Sequence, residues 1–530
     1  MLLRSFVAHE LIAPSGATTP LLNPATEEIV AETGTSGVDF GAALRFAREV
    51  GGPALRSMNF ASRGQLLVEC SRALFVQRDE LIGLAMRNGG NTRGDAKFDV
   101  DGAIGTLSAY GELGQRLGAA NTLRDGDGEQ PTRSAKLWGE HLWFPRTGVA
   151  VHINAFNFPA WGLAEKAAVA WLCGLPVISK PATSTAVVAA RMVEILAGAQ
   201  LLPRGALTFL PGSVGDLLDR LEGQDVLAFT GSSDTAQMLR RHAAVVERGV
   251  RLNIEADSLN AAVLGPDADS GEAYDLFIAD VVRDITQKTG QKCTAIRRIF
   301  VAEAQLDQVL AELADRLGGV RVGNPQDEAV TMGPVATQAQ LRSVRAGIQQ
   351  LAAAPGSQVL LGGADPIDGI GAPAGKGFFV RPTLLCCRAP AASHPVHQLE
   401  VFGPVATVIP YRDSAELVQA AAAGGGGLVA SIYSDDRRFV PEVVAGLGPH
   451  HGRLFLGSAR LSGQSPGPGT VLPLLNHGGP GRAGDGHELG GVRGMQLYMQ
   501  RCAIAGYRPT VEGLVPGSAI ASAGKPAAAK

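Results

Sequence analysis

From Gly148 onward the chain alternates between two hydrophobic periods, and no other feature limits its possible folds as tightly. Residues 149–155 form the short apolar run of a strand, 159–173 a longer run with Pro159 in the first turn of a helix, and 175–179 a strand again. The series continues with a helix over 185–199, a strand at 206–210, a short helix after Gly212, a strand at 226–229, a helix near 234–246 and a strand at 251–254. Strict alternation with short Gly- or Pro-marked joints requires right-handed crossovers and therefore a parallel sheet. Such sheets bind nucleotides beyond the carboxyl ends of their strands. A second alternating region, with a strand at 298–301, a helix at 306–317 and a strand at 406–410, predicts a second α/β domain. The glycines at 424–427 read as a loop, because no strand and helix frame them as a phosphate cradle would require.

Bulk composition excludes several functions. A chain of 530 residues, 45% apolar, exceeds one simple core and implies two or more domains. Its formal net charge of -3 and lack of a basic stripe argue against a nucleic-acid partner. No stretch approaches about eighteen uninterrupted apolar residues, and Glu10 interrupts the amino-terminal segment, so neither a membrane span nor an export signal is expected and a cytoplasmic location is. The six cysteines form no C-x-x-C pair and the ten histidines no H-x-x-x-H pair, so no metal site is expected. His394 and His397 flank Pro395, which disfavours a regular helix between them.

Cys293 stands apart from the other thiols. It lies between Lys292 and Thr294, three residues after Gly290, among small, polar and basic neighbours rather than the Leu, Val and Ile that surround a packing cysteine. Glu255 ends a predicted strand thirty-eight positions earlier, and Asn157 sits at a strand-to-helix junction where it could also cap the helix. Lys180 lies at the carboxyl end of another strand, where a dinucleotide binds.

These segments, in this order, resemble the aldehyde dehydrogenase superfamily over roughly residues 20–510. The resemblance runs through Gly290-Gln-Lys-Cys293, Asn157-Phe-Pro, Lys180-Pro-Ala, Phe229-Thr-Gly-Ser232, Asn253-Ile-Glu255 and Glu400-Val-Phe402-Gly-Pro. It implies an α/β fold of two parallel-sheet domains plus a small β oligomerisation flap. On that pattern 1–130 and 150–255 bind NAD(P), 256–475 form the catalytic domain, 131–149 and 485–512 supply oligomerisation strands, and 516–530 form a disordered tail. The flap strands, at 133–145 and 495–501, leave Trp138, Leu142, Trp143 and Tyr498 in need of cover, which implies a homodimer or dimer of dimers.

The roles implied are equally specific. Cys293 is the nucleophile, Asn157 an oxyanion donor and Glu255 the base, while Lys166 and Glu488 match a proton-relay pair. Lys180, Thr183, Gly212, Phe229, Gly231, Ser232, Glu400 and Phe402 fall at cofactor-binding positions. Thr183 stands where NAD-preferring members often carry Glu, so NADP is expected, with NAD possible. Two glycines of the family's base motif are replaced by Ala256 and Asp257, and Asp257 is read as structural. Within the superfamily, His477-Gly-Gly-Pro-Gly-Arg-Ala-Gly484 and the runs at Glu255 and Cys293 resemble the aldehyde dehydrogenase half of phenylacetate ring-opening proteins and their single-domain benzoyl-CoA-pathway relatives. That subgroup implies a CoA-linked semialdehyde as substrate. Another semialdehyde dehydrogenase, including a CoA-acylating one, or a non-catalytic binding protein on this fold are the alternatives.

Overall fold

A computed structural model describes residues 1–470, 472–486 and 490–514, and the backbone alone of 518–520. The first alternating region forms a seven-stranded sheet in the order Arg251–Glu255, Val226–Thr230, Ala150–Ile153, Val177–Lys180, Leu207–Phe209, Ser5–Val7, Glu10–Ile12. Its first five members are parallel, as the crossovers require. The amino-terminal hairpin, absent from the sequence reading, closes the sheet antiparallel through Phe6 opposite Phe209. From Ala150–Ile153 the chain winds outward through two strands, then returns to the other side for Val226–Thr230 and Arg251–Glu255. The crevice at that reversal, beyond the strand ends, is where a doubly wound sheet binds its ligand.

The helix Pro159–Leu172 carries one wall of this crevice. Proline occupies its first turn, and twelve of its residues are buried, so it lies inside the protein rather than on the surface. Asn157 does not cap it. The residue at the cap position is Phe158, which makes no side-chain cap bond, and Asp99 from the helix Arg93–Leu117 accepts instead from the Trp161 amide at 2.8 Å. A cap supplied from another element leaves the Asn157 amide free for other work. The two helices approach closely because residue 102 is glycine, where a Cβ would lie 2.2 Å from the Trp161 ring.

The second sheet has the order Ser357–Leu361, Thr383–Cys387, Val405–Tyr411, Arg298–Ala302, Ala261–Leu264, Gly427–Tyr433, His451–Gly457, parallel except at the antiparallel edge strand Ser357–Leu361. The third is four-stranded, Met499–Tyr507, Leu137–Pro145, Thr122–Arg124, Ser518–Ile520.

Three expectations for this third sheet need correction. It begins at Thr122–Arg124, ahead of the expected boundary at 131, because Leu123 and Arg124 pair antiparallel with Trp143 and Leu142 of the strand Leu137–Pro145. Residues 491–498 are helical, with a strand beginning only at Met499. The helix buries Met495, Leu497 and Tyr498 together, a one-sided stripe that short strand periodicity does not capture. Tyr498 and Leu142 are consequently internal rather than surface groups awaiting cover. Finally, 518–520, within the expected tail, pair in parallel with Thr122–Arg124, whose edge amides and carbonyls would otherwise lack partners. The remainder of that tail lies outside the described residues. Among the described residues no helix is long and apolar enough to cross a membrane.

Candidate active site

The site lies where the first sheet's reversal faces the segment leading into the second. Three consecutive residues, Lys288, Thr289 and Gly290, have positive φ of 52, 56 and 66°, and they turn the chain sharply after the helix Gly271–Thr286. Only glycine could occupy position 290, since a Cβ would fall 2.2 Å from the Gly403 carbonyl oxygen. The two non-glycine residues are held against their strain by buried contacts. Thr289 Oγ1 donates to Gly333 O at 2.9 Å, and the Lys288 ammonium lies 4.3 Å from the Phe158 ring centroid and 3.8 Å from Asp99.

The cysteine backbone is pinned from two sides. Asn260 donates to the carbonyls of Cys293 (2.8 Å) and Ala295 (2.9 Å), and buried Arg297 donates to Gly403 O (2.7 Å), Gly290 O (2.8 Å) and Lys292 O (3.3 Å). Neither residue stands out in the sequence as a functional group. Lys292, the cation beside Cys293 in the chain, points away from it: its ammonium donates to Asp284 at 2.5 Å and to Gln287 at 3.0 Å. Lys292 is thereby spent on Asp284 and does not serve as the thiol's counter-ion.

At the pocket floor, Glu255 reaches in from the end of Arg251–Glu255, and donor atoms of Glu255, Cys293 and His477 all lie within 4.8 Å of one another. Burial, and then the neighbouring Glu255, push the Cys293 thiol well above its ordinary range. The Glu255 carboxyl is likewise raised, first by burial and then by Glu165, with Lys166 opposing. Asn157 donates through Nδ2 to Gln291 O at 2.9 Å, on the loop that carries Cys293. An amide nitrogen has two hydrogens, so one donor remains for a ligand.

Lys166, whose residue type suggests a solvated surface lysine, is 3% exposed and lines the pocket beside Glu165. Glu488 lies outside the described residues. Glu165 and His477 belong to the site without having been singled out in the sequence for it, and Asn476 links them: its side chain donates to Glu165 at 2.5 Å and accepts from the His477 amide at 2.8 Å. Phe98, Phe158 and Trp161 form the apolar wall, with ring centroids 5.2 to 6.0 Å apart in edge-on contacts.

Around the crevice, Lys180 ends its strand half-buried and Thr183 opens the turn Thr183–Thr185. Ser232 caps the helix Ser233–Arg240, accepting from the Thr235 amide at 3.4 Å, and Asp257 accepts from the Ser233 amide at 3.1 Å, in keeping with a structural role. Phe229 is 3% exposed and buried in the core, and its ring would meet a Cβ on residue 231 at 2.5 Å. It therefore supports Gly231 from beneath. Gly212 packs on the backbone of Gly34 and Thr35, 3.1 Å from a would-be Cβ. Glu400 Oε1, 3.8 Å from Arg297 Nε, and Thr230 Oγ1 are buried without hydrogen-bond partners among the described residues. The Glu400 carboxyl is pushed up to about 7 by burial, against the pull of Arg297, and Phe402 packs edge-on to Phe156 at 5.8 Å. Orphaned buried oxygens at a strand-end crevice fit the hydroxyls of a dinucleotide, which would satisfy them.

Fold and site together describe a two-domain α/β protein with a buried thiol and a carboxylate side by side at the crevice of its first sheet. Residues 12–458 match the aldehyde dehydrogenase family, and the chain belongs to that family of oxidoreductases acting on aldehydes. It is 44% identical over 482 residues, covering 91% of this chain and 93% of the relative, to 3,4-dehydroadipyl-CoA semialdehyde dehydrogenase of Aromatoleum evansii. It is 32% identical to alpha-ketoglutarate semialdehyde dehydrogenase of Haloferax volcanii over 84% of this chain and 89% of that one. Among solved structures, the NAD+ complex of aldehyde dehydrogenase from Bacillus cereus shares the fold with a TM-score of 0.82 at 21% identity, covering 96% of this chain and 97% of the other.

Proposed function

We propose that the protein oxidises 3,4-dehydroadipyl-CoA semialdehyde to the carboxylic acid, using NADP, in the cytoplasm. The observation that carries the chemistry is the convergence of Cys293, Glu255 and the spare Asn157 donor on one pocket floor. Cys293 Sγ attacks the aldehyde carbon, and the oxygen takes up negative charge within reach of the Asn157 amide and the Cys293 backbone N–H. A nicotinamide dinucleotide held at the crevice by Lys180, Thr183 and Glu400 would supply the hydride acceptor for the aldehyde hydrogen. Glu255 takes a proton from water as it attacks the resulting thioester, so that aldehyde, water and oxidised cofactor become acid, reduced cofactor and a proton. The aromatic wall of Phe98, Phe158 and Trp161 suits an extended acyl chain. The substrate follows from the 44% identical relative. Steady-state kinetics on the CoA-linked semialdehyde and on a free aliphatic semialdehyde test it: kcat/KM should be higher for the CoA-linked form, and equal or inverted values would remove CoA from the recognition.

Cofactor choice rests on Lys180 and Thr183. Lys180 places a cation at a strand end, and Thr183 offers a hydroxyl where a carboxylate would repel a 2′-phosphate. A charge-assisted hydrogen bond there is worth about 1.5 to 3 kcal/mol. NADP should be used at least as well as NAD, and Thr183→Glu should cut kcat/KM for NADP far more than for NAD. Equal losses with both cofactors would overturn this assignment.

The assembly we infer is a dimer or a dimer of dimers. Met499–Tyr507 ends its sheet with one side unpaired among the described residues, and exposed Tyr507 adds apolar surface beside it. Light scattering at micromolar concentration should return two or four times the mass of one chain. A mass near one chain would exclude the assembly.

A further inference from the structure

We propose that Glu255, Cys293 and His477 form a binding site for a divalent transition-metal ion of the zinc class, and that occupancy of this site shuts the enzyme off reversibly. The three offer a carboxylate oxygen, a sulfur and an imidazole nitrogen, all within 4.8 Å of one another. In a tetrahedral zinc site such donors lie about 3.3 to 3.8 Å apart, given metal–ligand bonds of about 2.0 to 2.3 Å. Closing the trio therefore needs only small side-chain rotations. Three protein ligands leave a fourth position for water.

His477 is an independent sign of a ligand. It is 4% exposed, and neither ring nitrogen has a hydrogen-bond partner among the described residues. A buried imidazole with both nitrogens unused is costly unless something is to be bound. Its position is fixed: the Asn476 side chain accepts from its amide, and a Cβ on Gly452 would lie 1.6 Å from the next residue's carbonyl oxygen, so the segment is pressed against the strand His451–Gly457.

The charges around the trio favour a dication. Glu255, Cys293 and Glu165 line one pocket, where the negative charges of a carboxylate and a thiolate would oppose one another. A divalent ion reverses that balance, while Lys166 partly opposes it. On binding, the thiol proton leaves to solvent and the sulfur lone pair bonds the metal, with no change of oxidation state. A thiolate held in this way cannot attack an aldehyde. The loss of activity rests on Cys293 being the nucleophile, whereas the binding itself does not.

Cobalt(II) is the spectroscopic probe and zinc the inhibitor, both used with the full-length enzyme free of cofactor. One equivalent of Co2+ per subunit should give a near-ultraviolet thiolate-to-cobalt band. The band should vanish in Cys293→Ser, and His477→Ala and His477→Gln should weaken cobalt affinity by about tenfold or more, with circular dichroism and melting temperature as in wild type. Zinc should stop turnover at concentrations that fill the site, and a chelator should restore it. A band retained in Cys293→Ser, absent at one equivalent in wild type, or unaltered in affinity in both His477 variants would overturn the site. A band that behaves as expected in an enzyme whose turnover does not need Cys293 would uphold the metal site and refute the catalytic reading instead.

Discussion

Cys293→Ala should lower turnover to below about one percent of wild type while leaving dinucleotide binding intact. Among the residues lining the pocket it is the only thiol, and neither Asn157 nor Glu255 can form the covalent adduct from which hydride leaves at comparable rate. The loss should be confined to chemistry because the loop's anchors do not involve the sulfur. Asn260 grips the Cys293 carbonyl, and Arg297 grips the carbonyls of Gly290, Lys292 and Gly403. The crevice at the first sheet's reversal is built from other strands. Turnover with saturating aldehyde and fluorescence titration with NADPH separate the two effects. Residual activity of several percent would remove covalent catalysis by this thiol, and loss of cofactor binding would mean that the substitution disturbs the fold.

Glu255→Gln should split the reaction in time. Thioester formation does not require the carboxylate to activate water, but its hydrolysis does, so rapid mixing should give a burst of reduced cofactor near one equivalent per subunit, followed by a slow steady state. General-base assistance is worth about a hundredfold to ten-thousandfold, and the steady-state rate should fall by an amount in that range. Gln keeps the shape of the side chain and removes a carboxyl that burial already holds toward its protonated form, so the pocket should not rearrange. A mutant that turns over at the full steady-state rate would take Glu255 out of the mechanism. Loss of the burst along with the steady state would assign it to an earlier step.

The alternation of periods after Gly148 determined much of this protein. It fixed the order of strands and helices, hence parallel pairing and the placing of Asn157, Lys180, Gly231 and Glu255 at or just beyond strand ends, because these are local consequences of side-chain spacing and crossover chirality. Cys293 was legible for the same local reason, as a thiol in a polar, glycine-marked turn. What lies between distant segments was not legible. The amino-terminal hairpin closes the first sheet through a single register contact from Phe6 to Phe209, a choice made by an open edge rather than by any nearby signal. Asp99 caps the helix that Asn157 adjoins, and only that substitution of partners frees Asn157 for the nucleophile loop. Lys292 is adjacent to Cys293 in sequence yet turned onto Asp284, since sequence adjacency fixes where a Cα lies and packing decides where a long side chain ends. His477 comes to Cys293 across 184 positions because its loop presses against a strand of the second sheet. Spacing along a chain encodes periodicity, whereas the meeting of remote side chains is decided when layers pack and buried polar groups find, or fail to find, their partners.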